Sequence, residues 1–237
     1  MIKATLGRIF RSLGVEVRRV EVWPKESSNR QINRISGRDE VAAYFCNCYS
    51  FNSILDVGCG KGALFPRLLE TGAEVVGLDF LPECEIQTVF QDKKANYIRT
   101  MFDSFCNDQL FEAVIASHLI EHIPDTERFL IKFFSLLIPN GAYCLIWPPP
   151  KSAIVGGHVH LFNPGLMLYN LVRLGVDCRD VRVVQCGYSY GVMGRYSTFD
   201  VPDLNHDQGD IELLQNYFPF KVEQGFNGDK IPNIVHL

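Results

Sequence analysis

A chain of 237 residues, 47% hydrophobic and 21% charged, has the make-up of a packed globular protein and excludes disordered, collagen-like and coiled-coil classes. Its net charge of −4 lacks the basic surplus that binding a phosphate backbone demands, so nucleic acid is not an expected partner. No run reaches the ~20 apolar residues of a membrane span and the start lacks a secretory pattern, so a soluble protein is expected.

Residues 1–20 carry Lys3, Arg8, Arg11, Arg18 and Arg19 against Glu16, with Ile2, Leu6, Ile9, Phe10 and Leu13 at helical spacing. A basic amphipathic helix of this kind packs on its own domain, the favoured reading, or lies on an anionic membrane surface and guides a lipid-like substrate. A turn-rich stretch from Trp23-Pro24 to Ser36-Gly37 ends this leading segment at residue 37. The next helix is expected near Asp39 to Cys48, where Tyr44 and Phe45 are either pocket walls or core.

An apolar run ending in Asp56 then meets Gly58-Cys59-Gly60-Lys61-Gly62, the pattern of a strand turning sharply into a helix at a ligand. A second apolar run, Val75-Val76-Gly77-Leu78-Asp79, ends in a carboxylate about twenty residues past the glycines, the offset of an acid that accepts both hydroxyls of an adenosine ribose. Because Gly58-x-Gly60-x-x-Ala63 also satisfies the dinucleotide fingerprint, an NAD(P)-dependent oxidoreductase is an alternative at this point.

A third strand is expected within Tyr97 to Ser104, with Asp103 at its blurred end as either a binding acid or an ordinary turn aspartate. The fourth, Phe111 to Ala116, ends in Ser117-His118 and leads to Glu121-His122 and a helix start at Pro124-Asp125. Leu137-Ile138-Pro139-Asn140-Gly141 precedes the fifth strand, and Trp147-Pro148-Pro149-Pro150 stops it as a rigid rim. Gly156-Gly157-His158-Val159-His160-Leu161-Phe162-Asn163-Pro164 follows, with Asn163 as the cap and Pro164 as the first residue of a helix. Val181 to Val184 and Gly191 to Tyr196 read as an antiparallel last pair, with Tyr188, Tyr190 and Tyr196 pairing across it or lining a pocket. Residues 200–237 hold a short helix near Ile211 to Tyr217 and an apolar end at Ile231 to Leu237, outside the core at 38–199.

In this order the glycine motif, the acidic second-strand end, the "EH" after the fourth strand and the "L-x-P-x-G" turn resemble the class I S-adenosylmethionine-dependent methyltransferases of the small-molecule, quinone-biosynthesis type, over roughly residues 40–175. The resemblance implies an α/β fold with a Rossmann-like doubly wound sheet, mostly parallel with an antiparallel last strand, and helices on both faces. It implies S-adenosyl-L-methionine as cofactor, its methionine end held by Asp56 and the backbone of Gly58, Cys59, Gly60 and Gly62. Asp79 would hold its ribose, Phe80 one adenine face and Asp103 the adenine amino group, with Ser117 beside them. A small-molecule acceptor, a hydroxyl of a sugar, phenol or lipid-linked intermediate, is expected; a non-catalytic cofactor-binding scaffold is the alternative from another class.

His158 corresponds to the loop histidine that borders the acceptor pocket in relatives and is the first candidate for general base, with His160 as fallback. Glu121 and His122 complete the candidate catalytic set. His118-x-x-Glu121-His122 matches a zinc-protease pattern, but it follows a buried strand and runs into Pro124, which argues against that site. Quinone-ring relatives place E-x-x-E-H here to bind a cation; with His118 in place of the first glutamate, no metal is expected, and Glu121 with His122 reads as a local hydrogen-bonded pair. The eight cysteines, at 46, 48, 59, 84, 106, 144, 178 and 186, lack framework or zinc spacing, which points to reduced thiols and a cytoplasmic protein.

Overall fold

In the short apolar runs, successive side chains fall on opposite faces of a sheet, so each run buries both. Leu55, Val57, Val114 and Leu145 enter one apolar cluster and Ile54, Val75, Ala113 and Ile146 the other. The structure, a computed structural model, describes residues 37–81, 94–106 and 109–237, all within one unit, Ile35–Leu237. The expected basic helix at residues 1–20 and its linker up to Ser36 lie outside the described residues, as does Cys84.

The strands are β1 (Ser53–Val57), β2 (Glu74–Asp79), β3 (Ala95–Arg99), β4 (Phe111–Ser117), β5 (Leu137–Trp147), β6 (Arg182–Cys186), β7 (Ser189–Arg195) and β8 (Val235–His236). They form one sheet in the order β3-β2-β1-β4-β5-β7-β6-β8. β1 pairs in parallel with β2 and β4, and β7 is antiparallel to both β5 and β6. The chain thus reverses its winding between β1 and β4, the switch point outside whose strand ends open α/β sheets bind ligands.

Helix α1 (Arg38–Cys48) and the short α2 (Phe65–Leu69) cover one face through Val41, Phe45, Phe65 and Leu68. Helices α3 (Thr126–Ser135) and α4 (Pro164–Arg173) cover the other through Phe129, Phe133, Met167 and Leu171. Both starts are capped by side chains: Asp125 accepts from the Arg128 amide at 3.0 Å, and Asn163 from the Leu166 amide at 2.8 Å, with Pro164 leading α4 as expected.

The tail does more than the sequence suggested. After α5 (Asp210–Leu214), Leu214, Phe218, Val222 and Ile231 join the α3–α4 cluster, and β8 adds a parallel strand to β6. Among the described residues no helix is long and apolar enough to cross a membrane, and the seven described cysteines are free thiols.

Candidate active site

The glycine turn is forced by backbone geometry. Gly58 has φ +71°, a conformation costly for a residue with a Cβ, and a Cβ there would lie 2.8 Å from Leu119 Cδ2. Its amide and that of Cys59 donate to the Leu78 carbonyl at 2.8 and 3.2 Å, tying the turn to the end of β2. Asp79, buried at that end, accepts from the Gly60 amide at 2.8 Å and the Leu81 amide at 3.1 Å, one bond to each carboxylate oxygen. Each oxygen keeps a second lone pair for a hydroxyl.

Asp56, the next-to-last residue of β1, is 1% exposed, and burial pushes its carboxyl up to about 7, with the Arg38 guanidinium at the start of α1 drawing it back down. Arg38 escaped the sequence reading because its approach to Asp56 depends on how α1 packs. Among the described residues three buried oxygens near the switch point lack a hydrogen-bond partner: Asp56 Oδ2, Ser117 Oγ and Glu121 Oε2. Three others, on Thr126, Tyr143 and Asp210, are spread over α3, mid-β5 and α5. Buried oxygens of this kind call for a partner. Those of Asp56 and Ser117, on the paired strands β1 and β4 at the switch point, suit a ligand that brings donors.

The second half of the site is a histidine cluster. Ser117 ends β4, and His118 follows with φ +51°, a strained value outside glycine. Its Nε2 lies 3.1 Å from Ser189 Oγ and its Nδ1 3.5 Å from Glu121 Oε1. Glu121 is 2% exposed. The expected Glu121–His122 bond is replaced: His122 Nε2 is 4.0 Å from Glu121 Oε1, while its Nδ1 bonds the Gly157 carbonyl at 2.8 Å. That bond and those from the Val159 and His160 amides to the Glu121 carbonyl, at 2.8 and 3.2 Å, clamp the loop of His158 against the turn after β4. The His158 ring meets the His122 ring edge-on at 4.7 Å. His160 Nε2 instead bonds the Pro124 carbonyl at 3.0 Å, the geometry of a brace. One ligand atom each from Glu121, His122 and His158 lies within 4.8 Å of the others, a spacing that also suits a cation.

A family profile described as "Methyltransferase domain" matches residues 25–164, more than half of the chain. The chain belongs to the class I S-adenosylmethionine-dependent methyltransferases. The cofactor of that class, S-adenosyl-L-methionine, carries a nucleoside, in keeping with the acids at the ends of β1 and β2, and the dinucleotide alternative falls away. The ubiquinone biosynthesis O-methyltransferase of Rickettsia typhi is 35% identical over 92 residues, 37% of each protein. The mitochondrial ubiquinone biosynthesis O-methyltransferase of Bos taurus is 36% identical over 99 residues, 38% of this chain and 26% of that one. The chain therefore matches only about a quarter to two fifths of the length of these curated relatives. Among solved structures, the Burkholderia thailandensis 1,6-didemethyltoxoflavin-N1-methyltransferase shares the fold with a TM-score of 0.59 at 16% identity, over 68% of this chain and 79% of that one. Human N-acetylserotonin methyltransferase does so with a TM-score of 0.57 at 15% identity, over 68% and 52%.

Within this methyltransferase the expected residues divide. Asp56, Gly58, Gly60, Gly62 and Asp79 gather around the ends of β1 and β2, with Phe80 62% exposed just beyond. Cys59 turns its side chain inward, where its sulfur would meet a Cβ on Gly77 at 2.8 Å, so only its backbone faces the turn's ligand side. Asp103 stands in an exposed turn after β3, its carboxylate 3.7 Å from Arg128. Trp147, read as rim, is core: it is 1% exposed and donates to the Phe162 carbonyl at 2.9 Å. Phe45 is likewise fully buried, stacked on Phe51. Two larger hollows, about 510 and 410 Å³, open on the amino-terminal edge of the sheet beside Asn52 and Asn140, away from this chemistry.

Proposed function

We propose that this methyltransferase moves a methyl group from S-adenosyl-L-methionine to a hydroxyl of a small quinone-type, phenolic acceptor. The reading rests on one juxtaposition above all: the unpartnered buried oxygens of Asp56 and Ser117 lie on neighbouring strand ends, and the His118–Glu121–His122–His158 cluster begins at the next residue. The two relatives named for O-methylation in ubiquinone biosynthesis support a phenolic hydroxyl over a sugar.

When bound, the cofactor supplies an electrophilic methyl group on a sulfonium, open to direct displacement by an oxygen. The chain's own residues hold and orient. Asp56 would accept from the ammonium of the methionine end, Asp79 from the ribose hydroxyls, and the Gly58–Gly62 backbone and Ser117 would line the approach, with Phe80 against the adenine. Asp103 would serve the adenine amino group only by exchanging its ion pair with Arg128. His158 would take the hydroxyl proton at a ring nitrogen, the part of a general base. His122, bonded to Gly157 O, holds that loop in place, and Glu121 supplies a carboxylate behind the histidines. Positioning carries most of the rate in such a displacement, and no metal is required in this reading. With free thiols throughout the described residues, a cytoplasmic location is proposed alongside it.

Calorimetric titration with S-adenosylhomocysteine and with NADH tests the donor side: heat with the first and none with the second is expected. Absence of S-adenosylhomocysteine binding would sink the proposal. Methyl transfer from labelled S-adenosylmethionine to a catechol, lowered about 10²–10⁴-fold in His158→Ala, tests the acceptor side.

A further inference from the structure

Helix α4 begins where the loop of His158 ends, and the amides of its first turn need acceptors from outside the helix. Asn163 takes the Leu166 amide, and the carbonyl of Gly228, far along the tail, takes the Gly165 amide at 2.8 Å. The two backbones cross at this pair of glycines. A Cβ on Gly165 would lie 2.4 Å from Gly228 Cα, and a Cβ on Gly228 would lie 2.3 Å from Asn163 Oδ1, the capping oxygen itself. Neither glycine has a positive φ, so the close approach alone demands them. The crossing is anchored on both sides. Phe226 packs edge-on against Phe218, a buried member of the α3–α4 cluster, with ring centroids 6.0 Å apart. On the other side burial, and after it the Asp229 carboxylate, hold the Tyr190 phenol above its ordinary value, which puts the tail beside the residue paired with Trp147. Trp147 in turn bonds the Phe162 carbonyl, next to Asn163.

We propose that Gly228 is a positioning residue for methyl transfer: by crossing Gly165 it sets Asn163 and the first turn of α4, and with them the place of His158 in the preceding loop. This rests on the reading of His158 as the base. Between Trp147 and Asn163 the loop is held by the bonds of Val159 and His160 to the Glu121 carbonyl, of Gly157 to His122 and of His160 to Pro124. Its course therefore depends on where its far end is tied. A reacting group displaced by about 1 Å loses as much as about 10²-fold in rate, so a modest shift at Asn163 is enough to matter. The tail thereby becomes part of the acceptor side, although none of its residues need touch the acceptor.

The test compares the full chain with Gly228→Ala in three readings: turnover of catechol, calorimetric affinity for S-adenosylhomocysteine, and hydrogen exchange of the Val159 and His160 amides. Turnover is expected to fall about 10–100-fold and the two amides to exchange at least about tenfold faster, while the affinity stays within about threefold. Adding Asn163→Gly removes the atoms that the new methyl group meets and leaves a tolerated cap residue, so it should restore turnover and exchange to within about threefold. A structural role alone would lower the unfolding midpoint and leave the turnover of the folded variant untouched. Should Gly228→Ala not fold, Phe226→Leu loosens the same crossing without a clash and should shift turnover and exchange in the same direction by a smaller factor. Glu223→Ala, on an exposed ion pair of the same tail, should change neither. Unchanged turnover and exchange in the folded variant, loss of S-adenosylhomocysteine affinity in step with turnover, or no rescue by Asn163→Gly would each overturn the assignment. Failure of the unaltered protein to methylate catechol is a different result: it would overturn the acceptor reading, and exchange of the two amides would still decide whether the tail fixes the loop.

Discussion

The proposed donor and acceptor sides share the carboxyl-terminal edge of one sheet, yet they are built from different material. Asp56 and Asp79 are buried strand-end acids, held by the register of β1 against β2 and by a glycine turn bonded to the Leu78 carbonyl. The acceptor side is a loop, residues 148–161, fastened by bonds to the Glu121 and Pro124 carbonyls and leaving Ile154 almost wholly in solvent. Strand ends tolerate little variation because shifting one residue turns every side chain to the other face. Loops held by a few carbonyl contacts can change their side chains freely. The contrast suits an enzyme whose donor is constant across its class and whose acceptor is not.

The sharpest way to break that division is to alter one side and read the other. His158→Ala should lower the turnover number by about 10²–10⁴-fold with a catechol acceptor, while S-adenosylhomocysteine affinity changes by less than about threefold, as expected of a side chain outside the donor contacts. An equal loss in both would mean that the histidine belongs to the donor crevice. Asp79→Ala should weaken S-adenosylhomocysteine by about 10–100-fold, the size of lost hydrogen bonds to a charged group, read by calorimetry. Gly58→Ala places a methyl group against Leu119 at φ +71° and should cost about 1–3 kcal/mol in urea unfolding.

The Asp56 carboxyl, raised to about 7 by burial, makes the donor side sensitive to pH. A ligand bearing an ammonium prefers the ionised carboxylate, so affinity should be level above pH 7 and fall by up to about tenfold per unit below it. In the free protein the sign is opposite. The folded value exceeds the ordinary 3.8, so this group's stabilising contribution is complete below 3.8 and is lost as pH rises through about 7. Unfolding midpoints of Asp56→Asn and the unaltered protein, compared at pH 3, 5 and 8, would show it: the variant's gain should be absent at pH 3, partial at pH 5 and largest at pH 8. The smallest effect is expected from metal removal. Prolonged dialysis against EDTA should leave turnover unchanged, and a loss restored by magnesium would assign Glu121, His122 and His158 to a cation instead.

Much of the donor side was legible because it is local and periodic. Alternating apolar residues named the strands, the Gly58–Gly62 run named the turn, and the apolar run before it placed Asp79 at the end of β2 before any coordinate. The misreadings have a common cause in contacts between distant residues. Trp147 looked like a rim because prolines follow it, but the direction of an indole at a strand end is set by the Phe162 carbonyl fifteen residues later. Residues 200–237 looked like an appendage because β8 has two residues and no periodicity, and it exists only through its pairing with β6. His118 carried no signal beyond a motif match, since its partner Ser189 is 71 residues away.

By itself, then, the sequence determined the class of fold, the glycine turn and the two acids at the ends of β1 and β2, because each depends on propensity, spacing or backbone sterics within one short segment. Only the tertiary structure decided which histidine meets which, that Glu121 lies nearer to His118 than to His122, and that Lys151 rests on Tyr188. Those contacts join loops from separate strand ends, and their geometry follows from how the sheet and its two helical layers pack.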